Sequence, residues 1–223
     1  MLKKILVSCL IVSGFPLSVQ AQDLALKIDN ETTTLQPDGV TRITWFSERL
    51  VRRDYQSWVA RILPVGAHEE DDHKAADKNH KHMDVSAAAR WVTRGEDGKL
   101  RVRVVNAHEK MVVDVSPVDY VNIGFDGKWS SASQLLDAEQ IRRMKASARS
   151  APVGTRWVEG GTRDVRVQVL WDEQAQYPRR IESSNLRGTY VSTMVVTRET
   201  MPARMPWTQV GGYQQKEYSD LLD

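Results

Sequence analysis

Apolar and polar residues alternate with a period of two over much of this chain, the mark of strands with one buried face. Leu100-Arg101-Val102-Arg103-Val104-Val105 alternates cleanly after an Asp97-Gly98 turn. That dipeptide is a strong hairpin signal. A second turn over 106–110 leads into Met111-Val112-Val113-Asp114-Val115, so three strands follow one another as a meander. Upstream, Val40, Ile43, Trp45 and Phe46 run into Leu50-Val51. A break at Arg53-Asp54 precedes Trp58-Val59-Ala60-Arg61-Ile62-Leu63, which predicts a hairpin ended by Pro64-Val65-Gly66. Arg90-Trp91-Val92 restarts the pattern. Downstream, residues 165–171 alternate, and strands at 180–182 and 190–196 flank a turn at Leu186-Arg187-Gly188.

A helical period appears over 135–148. Asp137 can cap it, with Gln140 completing a capping box. Ala138, Ile141, Met144 and Ala148 share one face, while Arg142, Arg143 and Lys145 point away. Gly124-Phe125-Asp126-Gly127 reads as a tight turn before Trp129. Residues 149–163 read as a loop and 213–223 as a short terminal helix. Strands dominate both ends of the chain, with a helix between them. The pattern predicts a mainly β fold: a curved antiparallel sheet with one or two helices packed on one face.

The first residues change the picture. Met1-Leu2-Lys3-Lys4 is basic, Ile5 to Phe15 carries no charge, and Pro16 precedes Val19-Gln20-Ala21. This is the layout of a secretory signal peptide, cleaved after Ala21. The apolar run is well short of the ~20 residues that cross a bilayer as a helix. Export implies a periplasmic protein. Cleavage removes Cys9, the only cysteine, so disulfides, thiol catalysis and Cys-based metal sites are excluded from residues 22–223. It also removes Lys3 and Lys4 and no acid, so the formal charge of +2 falls to zero. A neutral chain lacks the basic footprint of a nucleic-acid-binding protein. Residues 22–223 fit one domain, since single domains run to ~100–200 residues, and the reading is of a monomer.

Four of the five histidines, His68, His73, His80 and His82, fall in a polar insertion over 67–84 that also holds Glu69, Glu70, Asp71, Asp72, Asp77 and Asp84. With so little apolar surface it is expected to be disordered. Imidazole and carboxylate suit Zn, Cu or Ni, and His80-Lys81-His82 sets two imidazoles on one side of an extended segment. Two readings stay open: a metal site, and a solvated loop whose histidines titrate in mildly acidic conditions. The chain carries no Gly-rich phosphate loop, His-Glu-x-x-His or Gly-x-Ser-x-Gly, so the reading is of a protein that is not an enzyme. Seven tryptophans are many for this length. They serve core packing, an apolar ligand cavity, or both. Trp91, Trp129, Trp171 and Phe125 are the candidate ligand-binding residues. Arginine groups at Arg49/Arg52/Arg53, Arg142/Arg143 and Arg179/Arg180 could form a local basic patch toward anionic lipid or an acidic partner.

One stretch has a wider resemblance. A strand ends at Trp171-Asp172, a turn with Tyr177-Pro178 follows, Arg180-Ile181-Glu182 begins the next strand, and Gly188 turns into the last. This resembles the late hairpins of periplasmic half-barrel proteins related to LolA and RseB. The strands around Arg49-Leu50-Val51 and Trp58-Val59-Ala60 fit the same style. The chain departs from the family in the His-rich insertion and in residues 23–39, which show no N-terminal helix. The resemblance implies a half-barrel sheet and a non-enzymatic binding or carrier protein. Its concave face would take a lipid, an acyl chain or an apolar peptide segment, with a lipoprotein or envelope protein as partner and at most peripheral membrane contact. Metal binding through the His-rich loop, and a regulatory or assembly role in an envelope complex, stand as rivals.

Overall fold

A computed structural model describes residues 23–63 and 88–221. The signal-peptide stretch and the four histidines of the insertion lie outside the described residues. Within them the chain forms a mainly β fold, an open curved sheet of twelve strands that does not close into a barrel.

The first half is a meander. Strands β1 (Leu24–Leu35), β2 (Thr41–Arg53), β3 (Gln56–Ile62), β4 (Ala89–Arg94), β5 (Leu100–Asn106) and β6 (Met111–Val115) pair antiparallel in sequence order. Residues 117–143 then cross one face as short helical pieces: a 3-10 segment at Pro117–Ile123, helix α1 (Trp129–Gln134) and helix α2 (Ala138–Arg143). The chain returns as β7 (Lys145–Ala146), β8 (Thr155–Gly161), β9 (Val165–Asp172), β10 (Tyr177–Asn185) and β11 (Tyr190–Arg198). β11 pairs with the free edge of β1, joining the two halves. The tail adds β12 (Gln214–Glu217), which runs parallel to β6 at the opposite edge. The sheet order is β12-β6-β5-β4-β3-β2-β1-β11-β10-β9-β8-β7.

Three elements differ from the sequence reading. The helix expected over 135–148 spans only Ala138–Arg143. Asp137 does cap it, accepting from the Glu139 N–H at 2.9 Å. Met144 is already extended, because Lys145 and Ala146 pair with Glu159 and Val158. The expected loop at 149–163 contains β8, whose Trp157 and Val158 are buried. The terminal helix is instead strand β12 and a 3-10 turn at Tyr218–Leu221. Residues 23–39, which show no helical period, hold the long first strand, Leu24–Leu35, and the turn after it.

Both faces of the sheet are buried in places. On the inner face, the one the helical segment crosses, Val92, Val102, Val104, Val113 and Val115 pack beneath Phe125 and Ala132. Leu24, Leu26, Ile28, Leu50 and Val196 pack with Leu135, and Val158, Val169 and Trp171 with Ile141. On the outer face the C-terminal tail lays Val210, Trp207 and Tyr213 over Trp58, Ala89, Val105 and Val112. Burying an apolar side chain of this size stabilises by ~1.5–3 kcal/mol, so both covers contribute.

Candidate functional site

Cross-strand partners share a face, so the register sorts the inner face into rows. Arg52, Ser57 and Val92 form one row, and Leu26, Leu50, Val59 and Arg90 the next. Two side chains in these rows hold α1 by its backbone. Ser57 Oγ donates to the Ala132 carbonyl at 2.6 Å, and Arg52 Nη1 to the Ser133 carbonyl at 3.0 Å. These contacts answer the carbonyls that a short helix leaves without partners.

The character changes at the following row. Arg61 pairs across from Glu48, and Glu48 from Ile28. A small cavity of about 90 Å³ opens among Glu48, Val59, Arg61, Arg90, Val104 and Ile123. The Arg90 guanidinium lies over the Phe125 ring, 5.3 Å from its centroid, and that of Arg61 over Phe46 at 4.5 Å. Arg90 Nε is buried and has no hydrogen-bond partner among the described residues. Burial pushes the Glu48 carboxyl above the usual carboxylate range, against the pull of Arg90 and Arg61. Burial likewise lowers the Arg90 guanidinium, against Glu48 and Asp126. Charges held this way in a cleft mark a site where a ligand group can complete them.

Beyond the charged row, Met194 packs on the cluster that Leu135 joins and Ile181 on the cluster of Ile141, Val158 and Val169. The next row holds Phe46, Asn30, Met194 and Ile181. Asn30 Nδ2 is buried without a partner among the described residues. One step further lie Thr44, Thr32, Ser192 and Ser183, with Thr32 Oγ1 donating to Ser192 Oγ at 3.2 Å. The gutter runs from apolar, through charged, to hydroxyl-lined. Toward β8 it meets an open groove lined by Met144, Gly160, Gly161, Val165 and Leu186, with Arg143 and Arg166. Gly161 is required there. Its φ is +136°, and a Cβ would stand 2.0 Å from the Val165 carbonyl oxygen.

The four candidates from the sequence fall in different places. Phe125 is buried against Tyr120, with ring centroids 5.2 Å apart, and touches the charged cluster through Arg90. Trp129 opens α1 and packs on the valine cluster, and Trp171 is buried beside Ile141. Trp91 lies on the outer face, donating to Gln56 Oε1 at 3.2 Å. The remaining histidine, His108, is exposed on the β5–β6 turn. Among the described residues, no group of three or more His, Cys, Asp or Glu side chains is placed to hold a metal. No helix among them is long and apolar enough to cross a membrane.

Sequence reasoning missed Glu48, Arg61 and Arg90. Their signal is phase: each arginine sits two residues from an inward valine, Val59 or Val92.

No protein-family model matches the chain, and no curated protein matches it in sequence. Solved structures with a similar architecture include an uncharacterized conserved protein from Thermus thermophilus, at 9% identity and a TM-score of 0.43 over 87% of this chain and 90% of that one. A LolA superfamily protein from Nitrosomonas europaea matches at 10% identity and a TM-score of 0.35, over 87% of this chain and 90% of that one. A chain of the Pseudomonas aeruginosa MucA/MucB complex matches at 10% identity and a TM-score of 0.38, over 86% of this chain and 56% of that one.

Proposed function

We propose that the protein is a non-enzymatic binding or carrier protein of the periplasm whose inner sheet face takes a chain-like amphiphile: a lipid, an acyl chain or an apolar peptide segment. One observation carries the reading. The apolar row of Phe46, Met194 and Ile181, with Asn30, follows the charged row, with the Arg61 guanidinium over the Phe46 ring and Arg90 across the small cavity that Glu48 lines. An apolar chain laid along that row brings an anionic end group to the two guanidiniums, where charge-assisted hydrogen bonds form. Glu48 is the counter-charge that such a group displaces. Phe125, between the helical pieces, anchors the cover against Arg90 and so sets how far the gutter extends.

Native mass spectrometry of the protein recovered after export tests this, together with titration of a fluorescent fatty acid and of an apolar peptide. The reading expects a co-purifying or titratable amphiphile whose affinity falls with Arg61→Gln and Arg90→Gln and is lost with Ile181→Arg. A protein that carries no such ligand and binds none of the probes rules it out.

A further inference from the structure

The end of the sheet away from the helical cover concentrates exposed apolar side chains. Val40, Ile43, Trp45, Leu186, Tyr190 and Val191 are all exposed, Trp45 to 72% and Leu186 to 74%. They come from neighbouring hairpins. The Leu35 N–H donates to the Thr189 carbonyl at 2.8 Å, and the Leu186 N–H to the Asp164 carbonyl at 3.1 Å. The turns at 36–40, 186–189 and 162–164 therefore stand side by side. Among the described residues, β3 pairs with β2 as far as Ser47. Ile43 and Val191 flank Thr33 in one cross-strand row of the outer face, while Tyr190 lies across from Thr34 on the inner face. The apolar groups thus ring the end of the sheet and do not form one flat patch.

We propose that this rim is a docking surface for an anionic lipid bilayer. Exposed apolar residues gathered in one place mark an interaction surface, and three features select lipid over a folded partner. The side chains stand on turn tips and on both faces, a shape that suits entry into a soft surface better than a fit to a rigid one. Trp and Tyr among aliphatic side chains form the composition of the membrane–water interface. Arginine guanidiniums are available to headgroup phosphates at this end, Arg42 at the start of β2 and Arg163 and Arg187 on the turns; the acids beside them are Asp38, which holds the Val40 N–H at 2.9 Å, Asp164, and Glu31 across from Trp45. None of the three arginines makes an ion pair with another described residue. Each basic residue near an anionic surface strengthens attachment about fivefold. Docked in this way, the protein would stand with its gutter opening toward the bilayer.

Vesicle flotation tests the proposal, using the processed soluble protein with its N-terminus verified by mass. Vesicles of phosphatidylglycerol with phosphatidylethanolamine are compared with vesicles of phosphatidylcholine alone. The expected result is binding to the anionic vesicles that drops by about tenfold or more when Arg42, Arg163 and Arg187 become Gln. Binding should be lost in the Trp45→Ser, Leu186→Ser double variant, with circular dichroism confirming its fold. In the milder Trp45→Phe variant, binding should persist while part of the quenching of tryptophan fluorescence by brominated lipid disappears. Ile181→Arg, which disables the inner-face ligand site, should leave flotation intact, so failure of the rim and failure of the gutter are read separately. A wild-type protein that does not float, or a double variant that floats as well as wild type, overturns the proposal. So does a rim that cross-links to an envelope protein without binding vesicles.

Discussion

The guanidinium of Arg103 lies 3.2 Å from the ring centroid of Trp91, stacked on the outer face of the sheet. The two residues are cross-strand partners on β4 and β5, in a row that runs from Trp58 to Asp114. Arg103 is buried, and burial, helped by Arg101 and opposed by Asp114, lowers its pKa to about 10. Its Nη2 donates to Thr93 Oγ1 at 3.3 Å. The ring and this one hydroxyl replace the water the cation has lost. We expect Trp91→Ala to cost about 3 kcal/mol, since it opens a cavity and strips the cation of its partner. Arg103→Ala should cost about 2 kcal/mol, and the double variant about 1 kcal/mol less than the sum. Urea unfolding of the four proteins measures the coupling. The folded state releases this proton near pH 10, at lower pH than the unfolded chain does. Stability relative to Arg103→Met should therefore rise as pH climbs through that window.

Asp172 closes the β9–β10 turn. Its Oδ1 accepts from the Gln174 and Ala175 N–H groups at 3.1 and 2.8 Å, and its Oδ2 from Arg179 Nε and Nη2 at 2.9 and 2.7 Å. Burial opposes the charge, but these donors outweigh it and hold the carboxyl below the usual carboxylate range. A depressed carboxylate stabilises the fold above its unfolded pKa, and that contribution is lost as pH falls through the folded value. Asp172→Asn should cost about 2 kcal/mol at neutral pH. The gap to wild type should close in acid, as denaturation midpoints across the acid range would show.

Glu48 has the opposite sign. Its raised carboxyl keeps a proton in the folded state after the unfolded chain has released it near pH 4.5. Stability from this residue falls as pH rises through the raised value. Glu48→Gln should flatten that slope and also tighten binding of an anionic amphiphile, because a competing negative charge is gone. Calorimetric titration with a fatty acid checks the second effect. Unchanged affinity would separate Glu48 from the ligand site.

The cover over the inner face rests on few contacts. α1 buries Ala132 and Ser133 and packs Trp129 on the valine cluster, and its backbone is held to the sheet by Ser57 and Arg52. Ser57→Ala should cost about 1 kcal/mol. Most of the loss should be local, appearing as faster amide exchange over 129–134 with little change in the meander. Equal acceleration throughout the sheet would mean that the cover and the sheet open together.

Strand positions were legible for β2 to β6 and β9 to β11, which need only alternation and turn residues, both local signals; β1 was not read as a strand. The helix over 135–148 was half legible. Asp137 announces its start, but its end at Arg143 is set by β8, a partner distant in sequence. Trp91 shows why the site itself was hard to find. A tryptophan in an alternating strand looks inward, yet here the C-terminal tail buries part of the outer face as well, so hydrophobicity alone does not tell the two faces apart. Arg61 and Arg90 became interpretable only once the register fixed which valines faced inward.

The first strand is also the middle of the sheet. β2 can pair with one edge of β1 as soon as the first hairpin has emerged. The other edge waits for residues 190–198, far along the sequence. During synthesis, the amino-terminal meander therefore exists as a half-sheet with a bare ladder of backbone donors and acceptors. Such an edge invites wrong partners, and long-range closure of this kind is slow. The hazard lasts until residues 190–198 have been made. Lesions that remove or delay residues 190–198 should thus cause more aggregation than lesions of the same size elsewhere.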